Sequence, residues 1–382
     1  MLAIRKQLQS HSEWIYTVAV VLLCAIRSVG LGAREASILM AVAMLLALIK
    51  IILTDYEKRE IILGAVIFGL LIYAFFINGD KMLLMSMIVI WGAKGTNIEK
   101  ILAICLFVRV PLIVARILLA ITGVFPGDEQ LLLKTNPYLG YSDWVVIKDY
   151  GFYHANYLYL ALYSVGLLLF IWLDTQKYRN ELKGLVVVSY TVLMYVGYRI
   201  LLCRTGFYMW VILATMAAAV LVVNALVQRG KENRVFGIII SLIPFVIAIS
   251  CLILAELRKQ GWSFAERYDA LFSGRFNIFS RDAGFYWMYP FGRAPYLKLD
   301  NGYFYAIYNS GWILMVILVL IMTKSLWNLY YIYSVLAVLA MIGTAGYMIG
   351  EATPLSIAWN PALLLMAYGI FPIDNLRSKL EC

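Results

Sequence analysis

The sequence predicts an all-α polytopic membrane protein with about twelve transmembrane helices and a large extracytoplasmic loop, and three observations predict it. Of 382 residues, 63% are hydrophobic and only 14% charged, and the mean hydropathy is +0.83. A soluble domain carries roughly 25% charged residues, so this chain has too little charge to coat a water-facing surface. The apolar residues fall into blocks of about 17–24, the length that crosses a ~30 Å hydrocarbon core. Composition therefore excludes a soluble enzyme fold, a disordered chain and a secreted disulfide scaffold.

Backbone amides in hydrocarbon must be bonded within their own segment, so each block reads as a helix. The blocks lie at 13–30, 36–53, 60–78, 81–93, 99–122, 154–173, 185–203, 206–228, 235–255, 303–322, 329–349 and 355–371, within one integral domain over 1–382. The first, from Trp14, has no small-residue cleavage site after it and reads as a retained span. The fourth is short for a crossing, and loop charge decides the count. With Arg5 and Lys6 inside, twelve crossings put Lys58, Arg59, Lys94, Lys100, Lys177, Arg179, Lys183, Arg229, Lys231, Arg234, Lys324, Arg377 and Lys379 in the cytoplasm. If 81–93 did not cross, the basic loops at 174–184 and 229–234 would move outside. The expected setting is the cytoplasmic (inner) membrane with both termini inside.

Cys24, Cys105, Cys203 and Cys251 lie in or beside apolar runs, and Cys382 ends the chain. None has CxxC spacing, so neither zinc nor a disulfide framework is indicated. No internal repeat is visible, which weighs against a transporter built from repeated halves.

Two outer stretches, 123–153 and 256–302, are too long for turns, and loops of that length are usually functional or disordered. The second is rich in aromatic residues and reads as an ordered cap. In it, Ser263 and Glu266 have capping-box spacing, Gly274 is placed to end the helix so begun, and Ser280 is placed to cap another. Asp300 and Asn301 stand where this loop enters the next span, a position where Asp is a strong N-cap.

The net charge of +10 divides unevenly by side. The cytoplasmic set, with Lys50, has 6 Arg and 10 Lys; the other 16 basic residues include 11 Arg. Guanidinium offers a planar fork of donors that matches phosphate oxygens, whereas ammonium suits headgroup attraction. The outer or intramembrane set is Arg27, Arg34, Arg109, Arg116, Arg199, Arg204, Arg258, Arg267, Arg275, Arg281 and Arg293. Charge within a span suggests function by default. Arg27 and Arg199 also lie where long side chains snorkel, and Arg109 precedes Pro111, whose kink frees carbonyls. Together these residues indicate a basic outer cavity for an anionic, phosphorylated ligand.

Only two histidines exist: His11 in the leader and His154 where the first long loop enters its span. His154 is either a hydrogen-bonded anchor or a catalytic group. No His/Cys/carboxylate cluster has metal-ligand spacing, and P-loop, GxGxxG and GxSxG motifs are absent, so no metal and no cofactor are expected. Asp300 places a carboxylate at the mouth of the outer cavity, where it suits a general base towards a hydroxyl.

The order of short motifs resembles the O-antigen/capsular polysaccharide polymerase (Wzy-type) family, which is related to the O-antigen ligases. The residues that carry the likeness are Gly151-Phe-Tyr-His-Ala-Asn156, Arg204-Thr-Gly206, Ser273-Gly-Arg275, and Asp300-Asn301 with Tyr303 and Gly311. Arg281 and Gly292 have ten residues between them, as in outer loops of such polymerases, and Arg116 and Gly127 repeat that spacing. Related ligases place a functional His where this chain has Asp300-Asn301, which favours polymerase over ligase.

The resemblance implies a membrane glycosyltransferase whose donor and acceptor are both undecaprenyl-pyrophosphate-linked oligosaccharides. It implies a flippase and a chain-length regulator as partner proteins, the lipid bilayer as environment, and no nucleic acid. Arg204, Arg275, Arg281, Arg293, Arg116 and Asn301 become the candidate pyrophosphate or substrate contacts. Asp300 is the first candidate base and His154 the second. A ligase-type transferase or a flippase for the same lipid-linked glycan are the alternatives.

Overall fold

A computed structural model describes residues 11–375 other than 32, 136–141, 227–233, 273, 283–287 and 333. About 77% of the described residues are helical. In order it forms α1 (Ser12–Ser28), α2 (Ala33–Leu53), α3 (Lys58–Asn78), α4 (Met82–Gly92) and α5 (Ile98–Ile121). Strands β1 (Glu129–Thr135) and β2 (Ser142–Lys148) follow, then α6 (Ala155–Thr175), α7 (Asn180–Leu201), α8 (Arg204–Leu226), α9 (Arg234–Ser241) and α10 (Ile243–Lys259). The last part holds α11 (Ser263–Leu271), α12 (Arg275–Asp282), α13 (Gly302–Ser310), α14 (Trp312–Tyr331), α15 (Val335–Tyr347) and α16 (Ala367–Ile370), with 3-10 turns at Thr353–Leu355, Pro361–Met366 and Ile373–Asn375.

Among the described residues, eight stretches are long and apolar enough to cross a membrane: α2, α3, α5, α6, α7, α8, α14, and α9 with α10 taken as one run of 26 residues. Their chemistry sets their ends. Asn97 accepts from the Lys100 N–H to start α5, and Gly79, at φ 77°, closes α3 in the left-handed conformation that glycine adopts without strain. Leu242 interrupts the ninth expected span, with Pro244 opening α10. The block at 81–93 holds only the 11-residue α4, about 16 Å of helix.

Three departures from the expected layout have physical causes. The loop at 123–153 contains an antiparallel hairpin in which Leu131 pairs with Val146 and Glu129 with Lys148. The run Val145-Val146-Ile147 is β-branched and suits a pleated strand, a signal that the membrane-helix reading passed over. The block at 303–322 is split at Gly311, whose φ of 93° brings its backbone against the Pro290 carbonyl and leaves no room for a Cβ.

The third departure is the last apolar block. Residues 355–371 form 3-10 turns and one short α-turn rather than a helix. Irregular backbone at membrane depth is tolerated only inside protein, and this segment lies in the core, with Ala362, Leu364, Leu365 and Tyr368 all at 0% exposure. Neighbouring helices supply the hydrogen bonds it lacks. Ser86 Oγ donates to the Leu355 carbonyl (2.8 Å) and accepts from the Ile357 N–H (3.0 Å). Ser325 donates to Met366 O and Asn328 to Tyr368 O. Arg109 Nη1 lies 3.4 Å from Ala358 O. Arg109 therefore serves a carbonyl distant in sequence, in place of one freed by Pro111.

This segment runs the length of the bundle. At one end it follows Glu351, which meets Asn156 in the first turn of α6. At the other, Tyr368 reaches Glu99 in the first turn of α5, and Phe371 packs on Tyr56 and Trp91. Helices α5 and α6 are packed, consecutive and antiparallel, so those first turns mark opposite ends.

Two expected caps are replaced. Ser263 is the first residue of α11 and makes no capping bond, while Glu266 pairs with Arg258. Ser280 lies inside α12 and donates to Phe276 O. Gly274 does end the α11 turn, at φ 79°. At the start of α13 the cap is Asn301, whose Oδ1 accepts from the Tyr303 and Phe304 N–H groups; Asp300 takes no part in it.

Candidate functional site

The arginine at the centre of the site is held from below by a chain of carboxylate contacts. Arg258, near the end of α10, donates to Glu266 Oε1 at 2.7 Å and to Asp269 Oδ2 at 3.3 Å. Asp269 is buried, and its carboxylate also accepts from the N–H groups of Phe276 (2.8 Å) and Asn277 (3.2 Å). An acidic side chain on the first-turn amides of α12 satisfies orphan donors and favours the helix dipole. The other face of α12 is locked by Phe279, stacked on Phe304 of α13 with ring centres 3.9 Å apart. Arg275, the first residue of α12, is thereby fixed in direction.

Its guanidinium joins three other parts of the chain. Nη2 donates to Glu351 Oε1 at 2.9 Å, Nη1 lies 3.5 Å from Thr205 Oγ1, and Nε lies 3.6 Å from Asp300 Oδ2. Glu351 Oε1 also accepts from Asn156 Nδ2 at 3.3 Å. Asn156 in turn donates its backbone N–H to His154 Nδ1 at 3.1 Å, which makes His154 the N-cap of α6. With Nδ1 accepting, the neutral ring carries its proton on Nε2.

Glycines allow this convergence. A Cβ on Gly350 would overlap Thr205 Cγ2 and stand 3.4 Å from Arg275 Nη1. A Cβ on Gly206 would meet the Tyr159 ring at 2.5 Å and the Tyr347 hydroxyl at 2.9 Å. Arg204-Thr-Gly206 thus packs the start of α8 closely on α6 and α15, with Thr205 turned to Arg275.

The two carboxylates beside Arg275 differ in environment. Glu351 has 10% of its side chain exposed and Asp300 has 51%. Glu351 lies in the turn beyond α15, outside the apolar helices. Burial pushes its carboxyl from 4.5 up to about 7; Arg275 pulls it down and Asp300 pushes it up.

Of the residues expected from sequence, Arg275 and Asp300 are therefore paired directly, His154 is linked to Arg275 through Asn156 and Glu351, and Arg204 adjoins Thr205. Asn301 is 1% exposed and spends its amide on the cap and on Ile349 O at 2.7 Å. Arg293 stands elsewhere, over the rings of Tyr289 (4.9 Å) and Tyr308 (5.8 Å). Arg281 is exposed at the far end of α12. Arg116 supports the first long loop: its Nη1 donates to Phe125 O at 2.8 Å, and its guanidinium covers Gly151 where a Cβ would stand.

Sequence reasoning missed Glu351, Asn156 and Thr205 as site residues. Asn156 and Thr205 lie inside motifs singled out for their neighbours. Glu351 carried one available signal, a lone carboxylate between two apolar runs. Among the described residues, no group of three His, Cys, Asp or Glu side chains is placed to hold a metal ion. Compared with models of known families, with curated proteins and with solved structures, the chain matches none.

Proposed function

We propose that this protein is a membrane glycosyltransferase of the polysaccharide polymerase kind. It joins undecaprenyl-pyrophosphate-linked oligosaccharide repeat units on the outer face of the cytoplasmic membrane. In this reading the chain crosses twelve times with both termini inside, and α11 and α12 form a cap over the outer face. The observation that carries the reading is the meeting of Asp300 and Thr205 at the Arg275 guanidinium, with Asn156 joined to it through Glu351, four motif positions from distant parts of the sequence.

The chemistry such a site supports follows from its charges. Breaking a sugar–pyrophosphate bond builds negative charge on the leaving phosphate, and preorganised donors stabilise that charge. Arg275, with Arg204 beside Thr205, supplies those donors. Asp300, half-exposed and within reach of an incoming hydroxyl, accepts the acceptor's proton. His154 spends Nδ1 on its own helix start, which makes Asp300 the better base. The glycan leaves the donor carrier with its C1–O bond to phosphate broken, a new bond forms from C1 to the acceptor oxygen, and the pyrophosphate keeps the electron pair.

The test is the glycan made by cells carrying Arg275→Ala. Loss of long polymer, with single repeat units still outside and protein still in the membrane, is the expected result. Single units trapped inside would indicate a flippase, and wild-type chain length would remove Arg275 from the reaction.

A further inference from the structure

The Glu351 carboxylate uses its two oxygens unequally. Both of its hydrogen bonds, from Arg275 Nη2 and Asn156 Nδ2, fall on Oε1. Oε2 takes no hydrogen bond from any described residue, and it is not among the fully buried unpartnered atoms that include Arg275 Nε. It is therefore an oxygen to which a proton can be added without breaking either bond that holds Glu351 in place.

Charge counting gives that proton a purpose. Arg275 contributes one positive charge and is flanked by two carboxylates. With both ionised, the cluster carries a net negative charge, and an incoming phosphate dianion meets repulsion in a poorly solvated place. With Glu351 protonated, the same three residues are neutral overall, and Oε2 becomes an O–H donor beside the guanidinium.

We propose that Glu351 takes up a proton when a pyrophosphate group binds at Arg275, and that its Oε2–H then donates to a phosphate oxygen. This rests on the reading above that Arg275 is the phosphate contact. The proton comes from solvent on binding and returns to solvent on release; no bond other than O–H forms or breaks in this step. The tendency of Glu351 to hold a proton up to about 7 places the uptake near neutral pH.

The charged and titratable groups around Glu351 are Arg275 on α12, Asp300 and Lys298 in the chain before α13, and Tyr347 on α15. His154 and Arg204 adjoin Asn156 and Thr205 at the starts of α6 and α8. Of these, Asp300 and His154 are the competitors for the proton. Asp300 is half-exposed, and His154 Nδ1 is already occupied by a backbone N–H.

The test is calorimetric titration of the full-length purified protein with inorganic pyrophosphate and, separately, with farnesyl pyrophosphate, in buffers of different ionisation enthalpy. Glu351→Gln keeps the amide oxygen for Arg275 and reports the ligand's own titration. The expected result is extra proton uptake in the wild type, up to one per ligand near neutral pH. Affinity should fall by up to ~10-fold per pH unit above about 7, with both effects absent in Glu351→Gln. Binding of farnesyl pyrophosphate alone would assign the site to a lipid headgroup, and equal binding of both would assign it to the phosphate group itself; either outcome with the Glu351-dependent uptake supports the proposal.

Equal proton uptake in wild type and Glu351→Gln would overturn the proposal while leaving Arg275 as the contact. Undiminished binding by Arg275→Gln, or no binding of either probe, would overturn the underlying reading as well. Should Glu351→Gln fail to fold, infrared difference spectra of the wild type decide the matter. A protonated carboxylic acid band that grows on ligand addition is expected, and its absence overturns the proposal.

Discussion

Arg275 Nη2 donates to Glu351 Oε1 across 2.9 Å, joining the first turn of α12 to a residue 76 positions further along the chain. Glu351 stands four residues beyond the end of α15, where the chain enters its long buried irregular passage. The ion pair thus couples α12 to the least regular part of the core.

Burial of Glu351, which outweighs the pull of Arg275, makes stability depend on pH in a defined direction. A free glutamate releases its proton near 4.5, whereas folded Glu351 holds it to about 7. Between those values the folded state binds more protons than the unfolded, so stability falls as pH rises across that window and levels off above it. Melting of the detergent-solubilised protein should occur at lower temperature at about pH 8 than at about pH 5, and Glu351→Gln should flatten the difference. An unchanged slope in that variant would place the titration elsewhere.

Asp300 and Asn301 should separate cleanly. Asn301 caps α13 with two hydrogen bonds, so Asn301→Ala should cost about 1 kcal/mol of stability. Asp300→Asn leaves that cap untouched and should melt like wild type while losing polymerisation. A stability loss in Asp300→Asn, or retained polymerisation, would reduce Asp300 to a structural residue.

The buried passage predicts a large effect from a small change. Ser86 is the shared partner of the Leu355 carbonyl and the Ile357 N–H. Ser86→Ala leaves both backbone groups unpaired in the core and should destabilise by about 1–3 kcal/mol, measured by thermal melting. A melting point equal to wild type would mean that these groups find other partners.

Gly151 and Gly261 share the left-handed conformation, at φ 81° and 78°. Only Gly151 has a neighbour in the way, the Arg116 guanidinium; a Cβ on Gly261 meets nothing within 4 Å. Gly261→Ala should therefore cost only the backbone preference, about 1–2 kcal/mol, and Gly151→Ala clearly more. Equal costs would show that Arg116 moves aside freely.

How much of this was legible in the sequence depends on the distance over which each feature is decided. Apolar block length is a local property, and it located the long helices, although α9 and α10 share one block around Leu242. Gly274 as a helix end is equally local. The segment at 355–371 reads as a span because its residues are apolar, and its irregular backbone is sustained by Ser86, Arg109 and Asn328 from three other helices, which no local pattern reveals. Arg275, Asp300 and His154 were found through short motifs, but Glu351 follows no motif. Its part comes from burial and from what faces it. Asp300 and Asn301 are chemically similar cap residues one position apart, so only backbone geometry decides which of them caps α13.

The central claim is that Arg275 sits where a lipid-linked pyrophosphate reacts. It is tested most directly by incubating purified protein with one defined undecaprenyl-pyrophosphate-linked repeat unit and resolving the products by length. The account predicts a ladder of polymers from wild type and only the starting unit from folded Arg275→Ala. A wild type that makes no polymer, or an Arg275→Ala ladder equal to wild type, would contradict it.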